Sequence, residues 1–274
     1  MIINAVYFSP TGNTKGVVLK LAGMISERLK SDERLIETDF TFPERRKTAY
    51  RFAPDELVVF GMPTYAGRIP NKLLPFVQEG FQGDGAAAVA VVTYGNRGYD
   101  SSLSELRLEL VKDGFDVLGA VAVPCRHVFS RNIGGTPRGG WVSEKTDHFV
   151  EVVSGSLIGN GGADKESFAR FDETVRPYYI PLREDGQPAK FLKAVPKTNE
   201  DLCDRCGICV SSCPMGSIDA SDCRRVTGVC IKCQACVLRC PRQAKYFDDP
   251  DFLSHVRMLE KNFSERKEAE YFLF

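Results

Sequence analysis

The sequence predicts an α/β chain in two parts: a five-stranded parallel sheet wound on both faces by helices, followed by a small α+β region. Three observations lead there. Five short apolar runs alternate with stretches of helical periodicity in the first half. Polar, glycine-bearing loops follow three of those runs directly. Nine of the ten cysteines then fall between Cys203 and Cys240, eight of them in two copies of one spacing.

Ile2 to Phe8 is a strand-length apolar run, followed by Ser9-Pro10-Thr11-Gly12-Asn13-Thr14. Val17, Val18, Leu21, Ala22, Ile25 and Leu29 then recur as one face of a helix. A loop between strand and helix offers backbone N–H groups and the positive end of a helix dipole, an anion site that needs no Lys or Arg. Read alone, the same loop is also an ordinary helix-capping turn.

Leu35 to Thr38 and Glu56 to Met62 read as the second and third strands, and the third runs into Pro63-Thr64-Tyr65-Ala66-Gly67. Ala86 to Thr93 is a buried-type strand leading into Tyr94-Gly95-Asn96-Arg97-Gly98-Tyr99-Asp100. Leu103, Leu106 and Leu110 mark the next helix, and Val117 to Val123 the fifth strand. In a doubly wound sheet these loops converge at the carboxyl ends of the strands, where ligands bind. Cys125 after the fifth strand reads as a small buried residue, and His127 as a surface histidine or, less commonly, a proton-shifting group at the edge of a bound ligand.

The middle is less patterned. A glycine-rich stretch from Arg131 to Gly162 predicts a long loop and a helix around Glu144 to Leu157, and Lys165 to Val175 predicts another helix. Pro177 to Pro196, with four prolines, reads as an extended linker. Phe252, Leu253, Val256, Leu259 and Phe263 lie at helical spacing, and the tail ends Tyr271-Phe272-Leu273-Phe274. Such a tail packs back on its own domains or forms a homo-oligomer contact. The expected divisions are 1–160, 161–198, 199–247 and 248–274.

The cysteines read Cys203-x-x-Cys206-x-x-Cys209-x-x-x-Cys213-Pro214, then Cys230-x-x-Cys233-x-x-Cys236-x-x-x-Cys240-Pro241. Three thiolates at a pitch of three residues wrap one face of an iron–sulfur cluster, while the fourth, turned away by proline, is aimed elsewhere. Zinc favours paired Cys-x-x-Cys knuckles or mixed histidine sets, and disulfides need an oxidising compartment. Met1 to Phe8 lacks the basic start and apolar leader of an exported chain, so the expectation is the cytoplasm. Cys223, between the two runs, reads as structural.

Lys plus Arg equals Asp plus Glu at 36 each over 274 residues, so no net field favours nucleic acid or an anionic membrane. The longest apolar run, Ala86 to Val92, is far short of the ~20 residues a membrane span needs.

At Ser9, Thr11, Gly12, Asn13 and Thr14 the sequence resembles the phosphate loop of flavodoxins, and it is most similar to flavodoxin-like domains fused to a two-cluster bacterial ferredoxin. The resemblance covers Met1 to about Phe129 and Cys203 to about Phe247. It implies FMN, held by that loop, by Pro63, Thr64, Tyr65, Ala66 and Gly67, and by Thr93, Tyr94, Gly95, Asn96, Arg97, Tyr99 and Asp100. Tyr65 and Tyr99 are the residues it puts against the ring. It also implies two 4Fe-4S clusters with crossed ligands: Cys203, Cys206, Cys209 and Cys240 on one, and Cys230, Cys233, Cys236 and Cys213 on the other.

The function so implied is electron transfer between FMN and the clusters, with redox proteins as donor and acceptor. An FMN-dependent reductase acting on a small substrate or NAD(P)H is a second reading, although no second Gly-x-Gly-x-x-Gly loop appears. A redox sensor is a third, and no basic DNA-binding element supports it. No side chain is singled out as catalytic.

Overall fold

The structure is a computed structural model and describes residues 1–30, 35–135, 140–159 and 171–274. Strand β1 (Ile2–Tyr7) leads into helix α1 (Asn13–Leu29), and β2 (Leu35–Asp39) follows. Next come β3 (Tyr50–Arg51), β4 (Glu56–Pro63), α2 (Leu74–Glu79) and β5 (Phe81–Gln82). Then β6 (Ala87–Tyr94), α3 (Ser102–Lys112), β7 (Asp116–Pro124) and α4 (Glu144–Leu157) complete the first half.

The main sheet runs β10-β7-β6-β4-β1-β2, where β10 is Glu270–Leu273. Its five parallel strands, counted in chain order, lie 2-1-3-4-5, the flavodoxin order, and all five fall where the sequence put them. Period-two alternation splits the inner strands between two cores. Ile3, Ala5, Tyr7, Leu57 and Val59 meet Val18, Leu21 and Ile25 of α1 and Phe149 of α4. Val6, Phe8, Val58, Phe60 and Met62 face Leu103, Leu106 and Leu110 of α3 on the other side. Gly61 allows α1 to lie this close, since a Cβ there would stand 2.2 Å from Val18 Cγ2.

The sixth strand, β10, is an addition to the expected five. The apolar tail pairs antiparallel with β7 of its own chain, Tyr271 opposite Val121 and Phe272 opposite Ala120. The helix before it, Pro250–Asn262, is capped by Asp249, whose carboxylate accepts the Phe252 amide at 2.9 Å.

Two other expectations change. Residues 171–175 are irregular, and the earlier part of the helix expected over Lys165 to Val175 lies outside the described residues. Residues 177–196 form a strap rather than a free linker. The Tyr179 amide donates to the Ala66 carbonyl at 2.8 Å, Tyr178 Oη donates to the Ile69 carbonyl at 3.0 Å, and Phe191 is buried.

The cysteine region is bracketed by an antiparallel pair, β8 (Lys197–Thr198) with β9 (Lys245–Tyr246). It is fastened to the sheet domain by Arg46, which donates to the carbonyls of Phe40, Thr41 and Pro214 at 2.9, 2.6 and 2.6 Å. Met215 and Ile231 pack against the sheet core from the same side. Among the described residues, no helix is long and apolar enough to cross a membrane.

Candidate functional site

The crevice lies at the carboxyl ends of the parallel strands and has a volume of about 610 Å³, within the usual range for a ligand site. Thr11, Asn13 and Thr14 line its first edge. Gly12 caps α1 and lends no side-chain hydrogen bond, so the first-turn amides keep their capacity for an anion apart from Lys15 N, which donates to Ser9 Oγ at 3.0 Å. Ser9 and Gly12 sit behind this edge rather than on it. Thr14 Oγ1 and Thr93 Oγ1 share a hydrogen bond of 2.8 Å, and Asn13 Nδ2 donates to the Arg126 carbonyl at 3.0 Å.

Pro63, Thr64, Tyr65, Ala66 and Gly67 all line the crevice. Buried Glu105 on α3 holds this loop, accepting from Arg68 Nη2 and from the Ile69 amide. Burial pushes the Tyr65 hydroxyl well above the ordinary tyrosine range, and the neighbouring Cys233 and Cys230 add to it.

The third loop divides. Thr93, Tyr94, Gly95 and Arg97 face the crevice, and Asn96, Tyr99 and Asp100 do not. Asn96 is fully buried and donates to the carbonyls of Phe263 and Glu265 at 2.9 and 2.6 Å, fastening the C-terminal segment. Tyr99, expected against a ring, turns to the outer side and donates to Glu270 Oε2 at 2.9 Å. Asp100 pairs with Arg97. Of the two tyrosines expected against a ring, Tyr65 lines the crevice and Tyr99 does not, while Tyr94, also expected at the site, lines it.

His127 takes the less common of the two positions read from the sequence, beside the crevice. It is half-buried in the crevice wall, edge-on to Phe129 at 4.8 Å, and desolvation, with His255 and Arg97 nearby, lowers its pKa to about 4. Gly95 makes room for it, because a Cβ there would lie 2.2 Å from His127 Cδ2. Cys125 is buried, as expected, and desolvation pushes its thiol up to about 12. Sequence reasoning missed Tyr178, Tyr179 and Phe191 of the strap, His255, and the segment from Val229 to Lys232.

The two cysteine runs fold alike. Arg205 and Lys232, at equivalent positions, both have φ 58°, and Gly207 and Gln234 have φ 75° and 64°. One helical turn follows in each, Ile208–Ser211 and Ala235–Leu238. Three of these four left-handed residues are not glycine, strain of about 1–3 kcal/mol each that tends to gather at functional sites. The fourth sulfurs match too: Cys213 Sγ accepts the Ser217 amide at 3.3 Å, and Cys240 Sγ the Ala244 amide at 3.2 Å.

The thiols divide between two recesses. Cys203, Cys206, Cys209 and Cys240 line one, together with Cys223 and Lys245. Cys213, Cys230, Cys233 and Cys236 line the other. Each fourth cysteine thus stands with the opposite run. Both recesses are narrow, about 10 and about 20 Å³, and among the described residues no three His, Cys, Asp or Glu side chains converge on a single ion. Desolvation pushes the Cys233 and Cys236 thiols up to about 12. Val229, Cys230 and Ile231 line both the second recess and the 610 Å³ crevice, so one stretch of chain separates them.

Residues 196–219 and 227–245 each match a 4Fe-4S binding domain family. No curated protein matches the chain. Among solved structures, an archaeal flavodoxin aligns at 16% identity over 58% of this chain and 97% of its own, with a TM-score of 0.35. A Streptococcus pneumoniae flavodoxin aligns at 13% over 58% and 99%, TM-score 0.38. An NADH:FMN oxidoreductase aligns at 16% over 64% and 97%, TM-score 0.41. The fold assignment rests on the strand order itself. The chain therefore joins a doubly wound domain of flavodoxin topology to a C-terminal region carrying two 4Fe-4S motifs.

Proposed function

We propose that the protein is an internal electron relay between FMN in the sheet-end crevice and two 4Fe-4S clusters in the paired recesses. The observation that carries this reading is the shared wall, Val229 to Ile231, with Cys230 on both sides. A flavin exchanges electrons singly or in pairs and a cluster singly, so adjacent sites for the two interconvert these modes.

The residues present suit both groups. The crevice offers uncapped first-turn amides for a phosphate, and Tyr65, Tyr94 and Phe129 for a flat ring. Each recess offers four thiols, three from one run and one from the other, which favours the crossed ligand sets Cys203, Cys206, Cys209, Cys240 and Cys213, Cys230, Cys233, Cys236. Strap residues Tyr178, Tyr179 and Phe191 help close the crevice and limit water, and His127, neutral at physiological pH, adds no charge beside the ring site. Cys125, kept as a thiol by burial, takes no nucleophilic part.

The test begins with iron, sulfide and flavin analysis of anaerobically purified protein, where about eight irons and one FMN per chain are expected. Partial reduction, followed by optical and electron paramagnetic resonance detection of flavin and clusters, should then equilibrate at a rate independent of protein concentration. A rate that scales with concentration would mean exchange between molecules and would remove the internal relay.

A further inference from the structure

Lys245 lies on β9, is 3% exposed and lines the first cysteine recess. Its Nζ donates to Thr198 Oγ1 at 2.7 Å and to the Cys223 carbonyl at 2.6 Å, both uncharged acceptors. Among the described residues it forms no ion pair with a carboxylate. The same recess is lined by Cys203, Cys206, Cys209 and Cys240, so the ammonium is buried beside one complete set of four thiols. Burying an ammonium without a counter-charge is costly, and even the partly buried Arg68 has the carboxylate of Glu105 beside it.

The missing counter-charge has a natural source. Four thiolates outweigh the positive charge of an iron–sulfur core, so the assembly is an anion that grows more negative on reduction. Cluster potentials respond to net charge and to nearby groups. We propose that Lys245 is the buried counter-ion of the iron–sulfur assembly, raising its potential by favouring the more anionic, reduced state. The inference rests on the reading that the recesses hold clusters, but not on the flavin.

The experiment is a redox titration of the anaerobic holoprotein followed by electron paramagnetic resonance, with iron quantified in each variant. At fixed ambient potential, Lys245→Gln should lower the ratio of reduced to oxidised cluster at least tenfold in one of the two titrations, about 59 mV for a one-electron couple. Lys245→Arg, which keeps the charge, should stay within about threefold of the parent. Thr198→Asp neutralises the ammonium without removing it and should shift the ratio in the same direction, while Thr198→Asn should not. Should Lys245→Gln fail to assemble, Thr198→Asp decides. Parent-like potentials in Thr198→Asp, or in an iron-replete Lys245→Gln, would overturn the counter-ion role and leave the cluster reading intact. Parent protein free of iron and sulfide would remove both.

Discussion

The sulfurs of Cys203 and Cys223 lie 4.0 Å apart, although only Cys203 belongs to a repeated run. The Cys223 carbonyl is held by Lys245 at 2.6 Å, so its backbone is fixed while its thiol stays beside the first recess. If Cys223 is structural, Cys223→Ser should keep about eight irons per chain. Colorimetric iron and sulfide determination checks this, and a loss of about half would make Cys223 a ligand.

The crossed pairing makes a prediction about double variants. Cys213→Ala combined with Cys230→Ala strikes one recess twice and should leave about four irons, as each single variant does. Cys213→Ala with Cys206→Ala strikes both recesses and should leave almost none. Pairing by sequence neighbours would reverse the two results.

Asn13 sits at the first position of α1, on the edge of the crevice. Asn13→Asp puts a negative charge where a phosphate would meet the helix dipole and should weaken FMN binding at least tenfold, about 1.4 kcal/mol. Asn13→Ala removes the bond to the Arg126 carbonyl without adding charge and should weaken it less. Fluorescence titration of flavin-free protein measures both. Equal affinities for the two variants would place the phosphate elsewhere.

His127 predicts a pH dependence. Its folded pKa, about 4, lies below its unfolded value of about 6.5, so below 6.5 the unfolded chain binds the extra proton. Stability should therefore fall as pH drops from about 6.5 to about 4, and His127→Gln should flatten part of that slope. Desolvation shifts His255 in the same direction, so some slope remains in the variant. Denaturant midpoints at several pH values, measured on parent and variant, check this. Parallel profiles would contradict it.

What could be read directly from the residues depended on local patterning. The parallel strands were legible because runs such as Glu56 to Met62 are apolar on both faces, as a sheet covered twice requires. The cysteine spacing was legible because its meaning is local. Tyr99 was misjudged because its direction is decided by Glu270, 171 residues away. His127 looked exposed because two of the residues around it, Gly95 and His255, lie far away in the sequence. The strap over 177–196 read as a tether because proline content reports stiffness and not what the segment touches. A four-residue run such as Glu270–Leu273 carries too little periodicity to distinguish an edge strand from a loose tail.

The antiparallel edge strand has a consequence for biogenesis. Glu270–Leu273 emerges from the ribosome after both cysteine runs, yet it covers the border of the sheet that Ile2–Tyr7 began. A nascent chain stalled or cut inside the metal-binding stretch leaves β7 with a bare row of amides and carbonyls, the kind of margin that recruits other strands into aggregates. Sealing that margin with a strand that follows both cysteine runs ties maturation of the amino-terminal sheet to synthesis of the metal-binding stretch between them.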